Sequence, residues 1–146
     1  EMRERKDRIE DSINSVKAAI DDGIVPGGGA SFLHCLNDLR EFKNNATLTP
    51  EERVGVEIIE KSIQEPFKQI LENSGIESYE YLVKIINDDN SVSGYDALTF
   101  KYSANLIDDG IIDPVKVSKV ALKNAASASG TLLTTEVAIY QDLDVD

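Results

Sequence analysis

The sequence predicts a mainly α-helical protein, a multihelical bundle with two short β segments. Apolar residues recur every three or four positions through most of the 146 residues, which is the spacing of one helix face. Proline and glycine interrupt this pattern at intervals typical of helix ends. Two stretches, 92–98 and 134–140, carry β-branched and aromatic residues instead and are typical of short strands.

The composition excludes several classes of function. The net charge of −12 argues against nucleic acid or an anionic membrane as a partner, because both bind basic surfaces. No apolar run approaches the length of a membrane span. A single cysteine rules out an internal disulfide and fits a reducing compartment. That residue, Cys35, adjoins His34, so on a helix their side chains diverge by about 100° and make a poor dyad or metal site. We therefore predict no metal ligands.

The first helix is predicted over residues 3–22. Asp11 stands two positions from the apolar residue Ile9, so it projects roughly 200° away around the helix axis. It is flanked there by small residues, so the carboxylate could meet a ligand; a solvated acidic side chain is the alternative. The apolar stripe of this helix comprises Ile9, Ile13, Val16 and Ile20.

A glycine-rich stretch, 23–29, follows this helix. Gly23 predicts the helix end, Pro26 prevents its continuation, and three consecutive glycines lead into the next helix. Bare backbone at a helix start suits an anion such as phosphate; a tight turn between closely packed helices is the alternative. No Gly-Lys-Ser/Thr follows, as a P-loop requires, and no strand is predicted before it, as a dinucleotide fingerprint requires.

Three further helices are predicted in the middle of the chain. Thr49 is the predicted N-cap of the second of them, with Pro50 in its first turn and Glu52 completing a capping box. Pro66 should kink or restart that helix. The predicted ranges are 29–43, 50–74 and 78–87. Polar loops follow the first range, at 43–47, and the third, at 87–91.

The last third combines both β segments with two helices. After the strand 92–98 we predict a brief helix over 103–108 that ends at Gly110. Asp113 as N-cap and Pro114 at the first helical position predict the start of the last helix, whose alanines allow close packing. The strand 134–140 and an acidic tail, 141–146, complete the chain.

Several stretches, in one order and spacing, resemble the C-terminal part of group I (GroEL-like) chaperonins. The resemblance covers residues 3–140, so it is far more specific than any single motif. It implies that 1–22 is the end of the intermediate domain and that 23–140 is the C-terminal half of the equatorial, ATP-binding domain. The stretches are 8–12, 23–29, 94–97, 110–117, 124–127 and 134–136.

The resemblance also implies a role for six residues. Asp11 matches the catalytic aspartate that positions the attacking water for ATP hydrolysis, and Gly28 matches the backbone contact to the nucleotide. In this family the pair corresponding to Asp96 and Ala97 lies beside adenine. By the same matching, Ile111 would pack on the base and Asp113 would hold the ribose hydroxyls. The implied cofactors are ATP and Mg²⁺, whose ligands lie largely in the N-terminal half of the domain, outside this chain.

Two departures from the family pattern bear on these roles. Bacterial and plastid members usually have Asn where this chain has Asp96, and an ionised Asp accepts hydrogen bonds but donates none. The chain also lacks the phosphate-binding loops and metal-binding aspartate of the N-terminal half, the apical domain and the usual Gly-Met-rich tail. We therefore interpret the sequence as a fragment that is inactive alone.

The resemblance implies a function for the intact protein. It would be an ATP-hydrolysing chaperonin that assists protein folding as a homo-oligomeric ring, with a co-chaperonin and unfolded polypeptides bound through the apical domain. Stretch 73–77 looks plastid-like and 94–97 mitochondrial-like, which favours an organellar matrix (plastid, apicoplast-like or mitochondrion) over a bacterial cytoplasm. The alternative function is a non-enzymatic helical module for protein–protein interaction.

Overall fold

The computed structural model describes residues 2–139 and confirms the mainly α-helical prediction. Glu1, Tyr140 and the acidic tail lie outside the described residues. In chain order the elements are α1 (Met2–Asp22), β1 (Ile24–Pro26), α2 (Ala30–His34), α3 (Leu36–Asn45), α4 (Pro50–Ser62), α5 (Glu65–Asn73), α6 (Ser78–Ile86), β2 (Gly94–Asp96), β3 (Lys101–Ser103), β4 (Ile112–Pro114) and α7 (Val115–Leu133). None of the helices within residues 2–139 is long and apolar enough to cross a bilayer.

Most predicted helix ends are confirmed. Gly23 takes a positive φ of 88° after α1, and its N–H bonds the carbonyl of Ala19. Thr49 forms the predicted capping box with Glu52. Pro66 lies in the first turn of α5, so the long predicted helix is restarted there, as proline requires. The predicted helix 29–43 is instead divided at Cys35 into α2 and α3.

The core is formed by α2, α3, α5 and α6 together with β2 and Ile63, the residue that follows α4. Eight buried side chains make one cluster: Leu33, Leu36, Ile63, Phe67, Leu71, Leu82, Ile85 and Tyr95. Helices α1 and α7 have no buried residue and pack mainly against each other and β4. The molecule therefore has a packed body, from which the α1–α7 pair extends.

Two small antiparallel sheets replace the predicted β segments. The strand predicted at 92–98 is confirmed in part: β2 spans only Gly94–Asp96, and it pairs with β3. The other sheet was not predicted: β1 pairs with β4, aligning Val25 with Asp113. A strand thus does precede the three glycines, but its partner is antiparallel, unlike the parallel unit of a dinucleotide fold.

Two element predictions in the last third are wrong. Residues 103–108 form the end of β3 and a turn, because the Asn105 side chain accepts hydrogen bonds from the backbone N–H groups of Ile107 and Asp108. Residues 134–139 form no strand: α7 runs on to Leu133, and the hydroxyls of Thr134 and Thr135 bond its last carbonyls.

The predicted N-cap role of Asp113 is also wrong. Asp113 belongs to β4, and α7 begins two residues later at Val115 with Pro114 as its N-cap. Pairing with β1 holds Asp113 in extended conformation, so its side chain does not cap the helix. The carboxylate is left available for another role.

Candidate functional site

The glycine-rich stretch forms a tight turn between β1 and α2. The N–H of Ala30 bonds the carbonyl of Gly27, and the two central residues, Gly28 and Gly29, both have positive φ, 64° and 77°. Two positive φ angles in succession define the I′ type of turn, which strongly favours glycine. Helix α2 has only five residues, so bare backbone rather than a long helix dipole is what this turn can offer a ligand.

The three glycines face different surroundings. A Cβ atom on Gly29 would lie 2.8 Å from the backbone nitrogen of Phe67, and one on Gly27 would lie 3.1 Å from the nitrogen of Ile112. These two residues allow close packing of the turn on the body. A Cβ on Gly28 would meet only the Tyr95 carbonyl, at 3.9 Å. Gly28 is therefore the glycine whose backbone a ligand could approach.

The sheet of β1 and β4 brings Ile111 and Asp113 to this turn. The N–H of Gly27 donates to the carbonyl of Ile111 at 2.9 Å, and Val25 is aligned with Asp113. Both Ile111 and Asp113 are half-buried. Burial raises the pKa of Asp113, and within residues 2–139 its carboxylate has neither a hydrogen-bond donor nor a cation beside it. A half-buried carboxylate without a donor fits the hydroxyl-binding role that the resemblance implies.

Because the carboxyl group of Asp113 is half-buried and has no donor within residues 2–139, the stability of the fold should depend on pH in a testable way. Its folded-state pKa is raised, so the protonated form stabilises the fold at low pH, and that contribution is lost as pH rises through the folded pKa. Asp113→Asn should therefore raise the midpoint of thermal unfolding at pH 7 by roughly 2–4 °C. This gain in the unfolding midpoint should disappear at about pH 3, where the carboxyl group of Asp113 is protonated and therefore as neutral as the Asn side chain. An equal gain at both pH values in calorimetric melts would contradict this account.

Asp96 and Ala97 lie where β2 enters its loop. The carboxylate of Asp96 accepts hydrogen bonds from the N–H of Leu98 at 2.8 Å and from the hydroxyl of Thr99 at 2.6 Å. These bonds lower the pKa of Asp96, so it is ionised at neutral pH and fixes its own loop. The neighbouring Tyr95 carbonyl faces Gly28. The structure thus brings this pair to the same side of the body as the glycine turn.

Asp11 lies apart from this cluster. It is exposed on α1, 11 positions before the end of the helix, which corresponds to roughly 16 Å along the axis. It borders a groove of about 700 Å³ between α1 and α7 whose lining includes neither the glycine turn nor Asp113. On the α1 side, the lining residues are Asp11, Asn14, Ser15 and Ala18, so the small neighbours of Asp11 noted in the sequence do line the groove with it.

Two features of the site were missed in the sequence. Lys116 lines the same groove from α7, and its ammonium bonds Asp21 at 3.0 Å, which raises the pKa of Lys116. Lys116 lies in the stretch 110–117 that carries the family resemblance, but nothing in the sequence indicated that it pairs with a residue 95 positions away. The second missed feature is the pairing of β1 with β4. Strands of three residues are too short to show a detectable periodicity in the sequence.

The described residues include no group of three or more His, Cys, Asp or Glu side chains that could hold a metal ion. A divalent ion at this site would therefore need ligands from a bound nucleotide or from outside residues 2–139.

Comparison with known proteins identifies the family. The model of the TCP-1/cpn60 chaperonin family matches residues 1–142. This chain belongs to the TCP-1/cpn60 chaperonin family. A second finding agrees: Chaperonin GroEL 2 of Cereibacter sphaeroides is 42% identical over 139 residues. That match covers 95% of this chain but 25% of the relative, so the chain spans about a quarter of the length of that chaperonin.

The fold of this chaperonin chain also matches a solved chaperonin. A crystal structure of a group III chaperonin in the open state superposes with a TM-score of 0.74 at 31% identity. The match covers 84% of this chain and 25% of the other. The prediction of a GroEL-like chaperonin is thereby confirmed.

Proposed function

We propose that this chain supplies the base- and ribose-binding half of the ATP site of a GroEL-like chaperonin subunit. The observation that carries the proposal is the convergence of the Gly27–Gly29 turn, the Asp96–Ala97 loop and the Ile111–Asp113 segment. Residues from three distant parts of the sequence meet here. The N–H of Gly27 bonds the carbonyl of Ile111, Val25 is aligned with Asp113, and the Tyr95 carbonyl lies where it would be 3.9 Å from a Cβ added to Gly28.

Each residue of the cluster has a part that its chemistry suits. Gly28 offers bare backbone, Ile111 an apolar surface for the base, and Asp113 an acceptor for ribose hydroxyls. Both oxygens of the Asp96 carboxylate already accept bonds from Leu98 and Thr99, so we assign Asp96 to holding the loop that carries Ala97 beside the base.

Asp11 is proposed to act on water. An exposed carboxylate at the edge of an open groove can accept a hydrogen bond from a water molecule and orient that water toward a phosphate. ATP would supply the anhydride bond that is cleaved, and Mg²⁺ would neutralise charge on its phosphates. Because Asp11 lies along α1 and away from the turn, closure of α1 toward the cluster is part of the proposal.

The wider organisation is proposed on the same basis. Residues 1–22 would be the end of the intermediate domain, 23–140 the C-terminal half of the equatorial domain, and 141–146 an acidic tail. The complete subunit would assemble into homo-oligomeric rings that assist protein folding, with co-chaperonin and unfolded polypeptide bound elsewhere on the subunit. An organellar matrix remains the proposed location.

The test compares two glycines of one turn in the complete subunit. Gly28→Val should weaken ATP binding at least tenfold in titration calorimetry, because its side chain occupies the approach to the backbone. Its effect on the melting midpoint should be smaller than that of Gly29→Ala, whose Cβ would clash with the backbone of Phe67. Gly29→Ala should destabilise the fold by about 2–4 kcal/mol through overpacking and backbone strain.

A further variant separates strain from obstruction. Gly28→Asn keeps the positive φ at little cost, since Asn tolerates this region, but still adds a side chain. It should bind ATP weakly while melting close to the unmodified protein. Unchanged ATP affinity in both Gly28 variants would favour a purely structural turn and contradict the proposal.

A non-enzymatic interaction module is the second candidate. The exposed apolar residues of α1 favour it. Within residues 2–139 the Asp113 carboxylate has no donor, and it lies beside the open glycine turn. A module that merely binds another protein is not expected to keep such a group there. ATP binding that depends on Asp113 would therefore discriminate the two functions.

A further inference from the structure

Leu106 lies in the turn between β3 and β4, and its side chain is fully buried. Among the described residues it is buried outside the cluster of eight that forms the main core. Its neighbours in the turn, Asp108 and Asp109, are exposed. The burial of this leucine therefore depends on contacts other than those of the main core.

The backbone of Leu106 joins two segments of the proposed nucleotide site. Its N–H donates to the carbonyl of Val92, two residues before β2, at 2.9 Å, and its carbonyl accepts from the N–H of Ile111 at 2.8 Å. The carbonyl of Ile111 in turn accepts from the N–H of Gly27 at 2.9 Å. Three consecutive backbone hydrogen bonds therefore lead from the start of β2, through Leu106, to the glycine turn.

The side chain of Leu106 packs against Gly94, the first residue of β2. A Cβ atom on Gly94 would lie 2.2 Å from Cδ1 of Leu106 and 3.1 Å from Cβ of Ala30. Gly94 does not have a positive φ, so the lack of space rather than the backbone conformation requires glycine here. Ala30 is fully buried and directly follows the three glycines. Leu106 thus packs where the strand that leads to Asp96 meets the start of α2.

We propose that Leu106 is a positioning residue of the nucleotide site, an inference that rests on the function proposed above. It bonds Ile111 and packs against the strand that carries Asp96 and Ala97, but it is buried and does not touch the nucleotide itself. A close-packed interior transmits a change in one side chain to its neighbours. A shift of about 1 Å in the groups that hold a ligand can cost about a hundredfold. Loss of the Leu106 side chain should therefore let the Asp96–Ala97 loop move relative to the glycine turn.

The first test measures ATP binding and turnover in the complete subunit. Leu106→Ala should raise both the Kd for ATP and KM by about tenfold or more, whereas kcat should stay within about twofold because Asp11 lies apart on α1. The matched control is Leu71→Ala on α5, whose side chain is also buried but belongs to the main core. Each variant leaves a cavity, so both should lower the melting midpoint. Only Leu106→Ala should weaken ATP binding.

Further variants test the contact between Leu106 and Gly94. Leu106→Met nearly conserves volume and should keep ATP affinity within about threefold of the unmodified subunit. Gly94→Ala should weaken ATP binding because its methyl group overlaps Cδ1 of Leu106. Adding Leu106→Ala to Gly94→Ala removes this overlap and should recover part of the loss. If Leu106→Ala does not fold, Leu106→Val, which removes one methylene, should show the same pattern with a loss of about threefold.

Gly28→Val distinguishes failure of this inference from failure of the proposed site. If Gly28→Val weakens ATP binding and Leu106→Ala does not, the site stands and the positioning role is wrong. If neither variant weakens ATP binding, both proposals are wrong. Equal loss of ATP affinity in Leu106→Ala and Leu71→Ala would indicate general destabilisation, and it would likewise overturn the positioning role.

Discussion

Replacing Asp11 with alanine in the complete subunit should lower ATP turnover by about a hundredfold, the scale of a lost proton-accepting group at a reacting water. Nucleotide binding should change little. The reason is geometric: Asp11 lies in the α1–α7 groove, whereas Gly28, Ile111 and Asp113 form a separate cluster around the glycine turn. Steady-state phosphate release and calorimetric titration of ATP measure the two quantities independently.

Asp7→Ala is the matched control for this variant. Asp7 is an exposed carboxylate one helical turn before Asp11 and does not line the groove. Its removal should leave turnover within about twofold of the unmodified subunit, which separates a general loss of negative charge from loss of the water-positioning group. If Asp11→Ala retained turnover within about threefold, the role assigned to Asp11 would be wrong.

The 146-residue chain by itself should show no Mg²⁺-dependent ATP hydrolysis. Positioning and metal electrostatics account for nearly all catalysis of phosphoryl transfer, and residues 2–139 include no cluster of ligands that could hold a metal. In the proposed assignment the chain presents a base and ribose surface with a distant carboxylate. A sensitive phosphate-release assay, with Asp11→Ala as the background control, gives the measurement.

Turnover that requires Mg²⁺ and falls in the Asp11→Ala chain would contradict this expectation. Turnover that is equal in both chains would indicate a contaminating ATPase.

Much of the helical framework could be predicted from the sequence because its signals are local. The Thr49–Glu52 capping box, the break at Pro66 and the end of α1 at Gly23 each depend on a few neighbouring residues. The α1 stripe was also evident, and its exposure follows from the position of α1 outside the body. The strand predicted at 134–140 is wrong over 134–139: α7 continues past Gly130 to Leu133, and the hydroxyls of Thr134 and Thr135 bond its last carbonyls.

The candidate site was assigned only through family resemblance, and its roles remain predictions. Asp113 looked like an N-cap because Asp-Pro before an alanine-rich run is a common helix start. Its place in β4 depends on pairing with residues almost 90 positions earlier, which no local pattern reveals. The different surroundings of Gly27, Gly28 and Gly29 likewise depend on contacts with Ile112, Tyr95 and Phe67. Long-range packing, rather than residue type, decides which glycine is open to a ligand.

Photoaffinity labelling tests the central claim most directly. The complete subunit would be irradiated with 8-azido-ATP and the modified peptide identified by mass spectrometry. We predict that the label falls within residues 95–113, which include Asp96, Ala97 and Ile111, and that excess ATP prevents it. Gly28→Val should reduce the yield, whereas Ile58→Asp on α4 should not. Labelling that ATP does not prevent, or that maps to α4 or α6, would contradict a base-binding surface at the glycine turn.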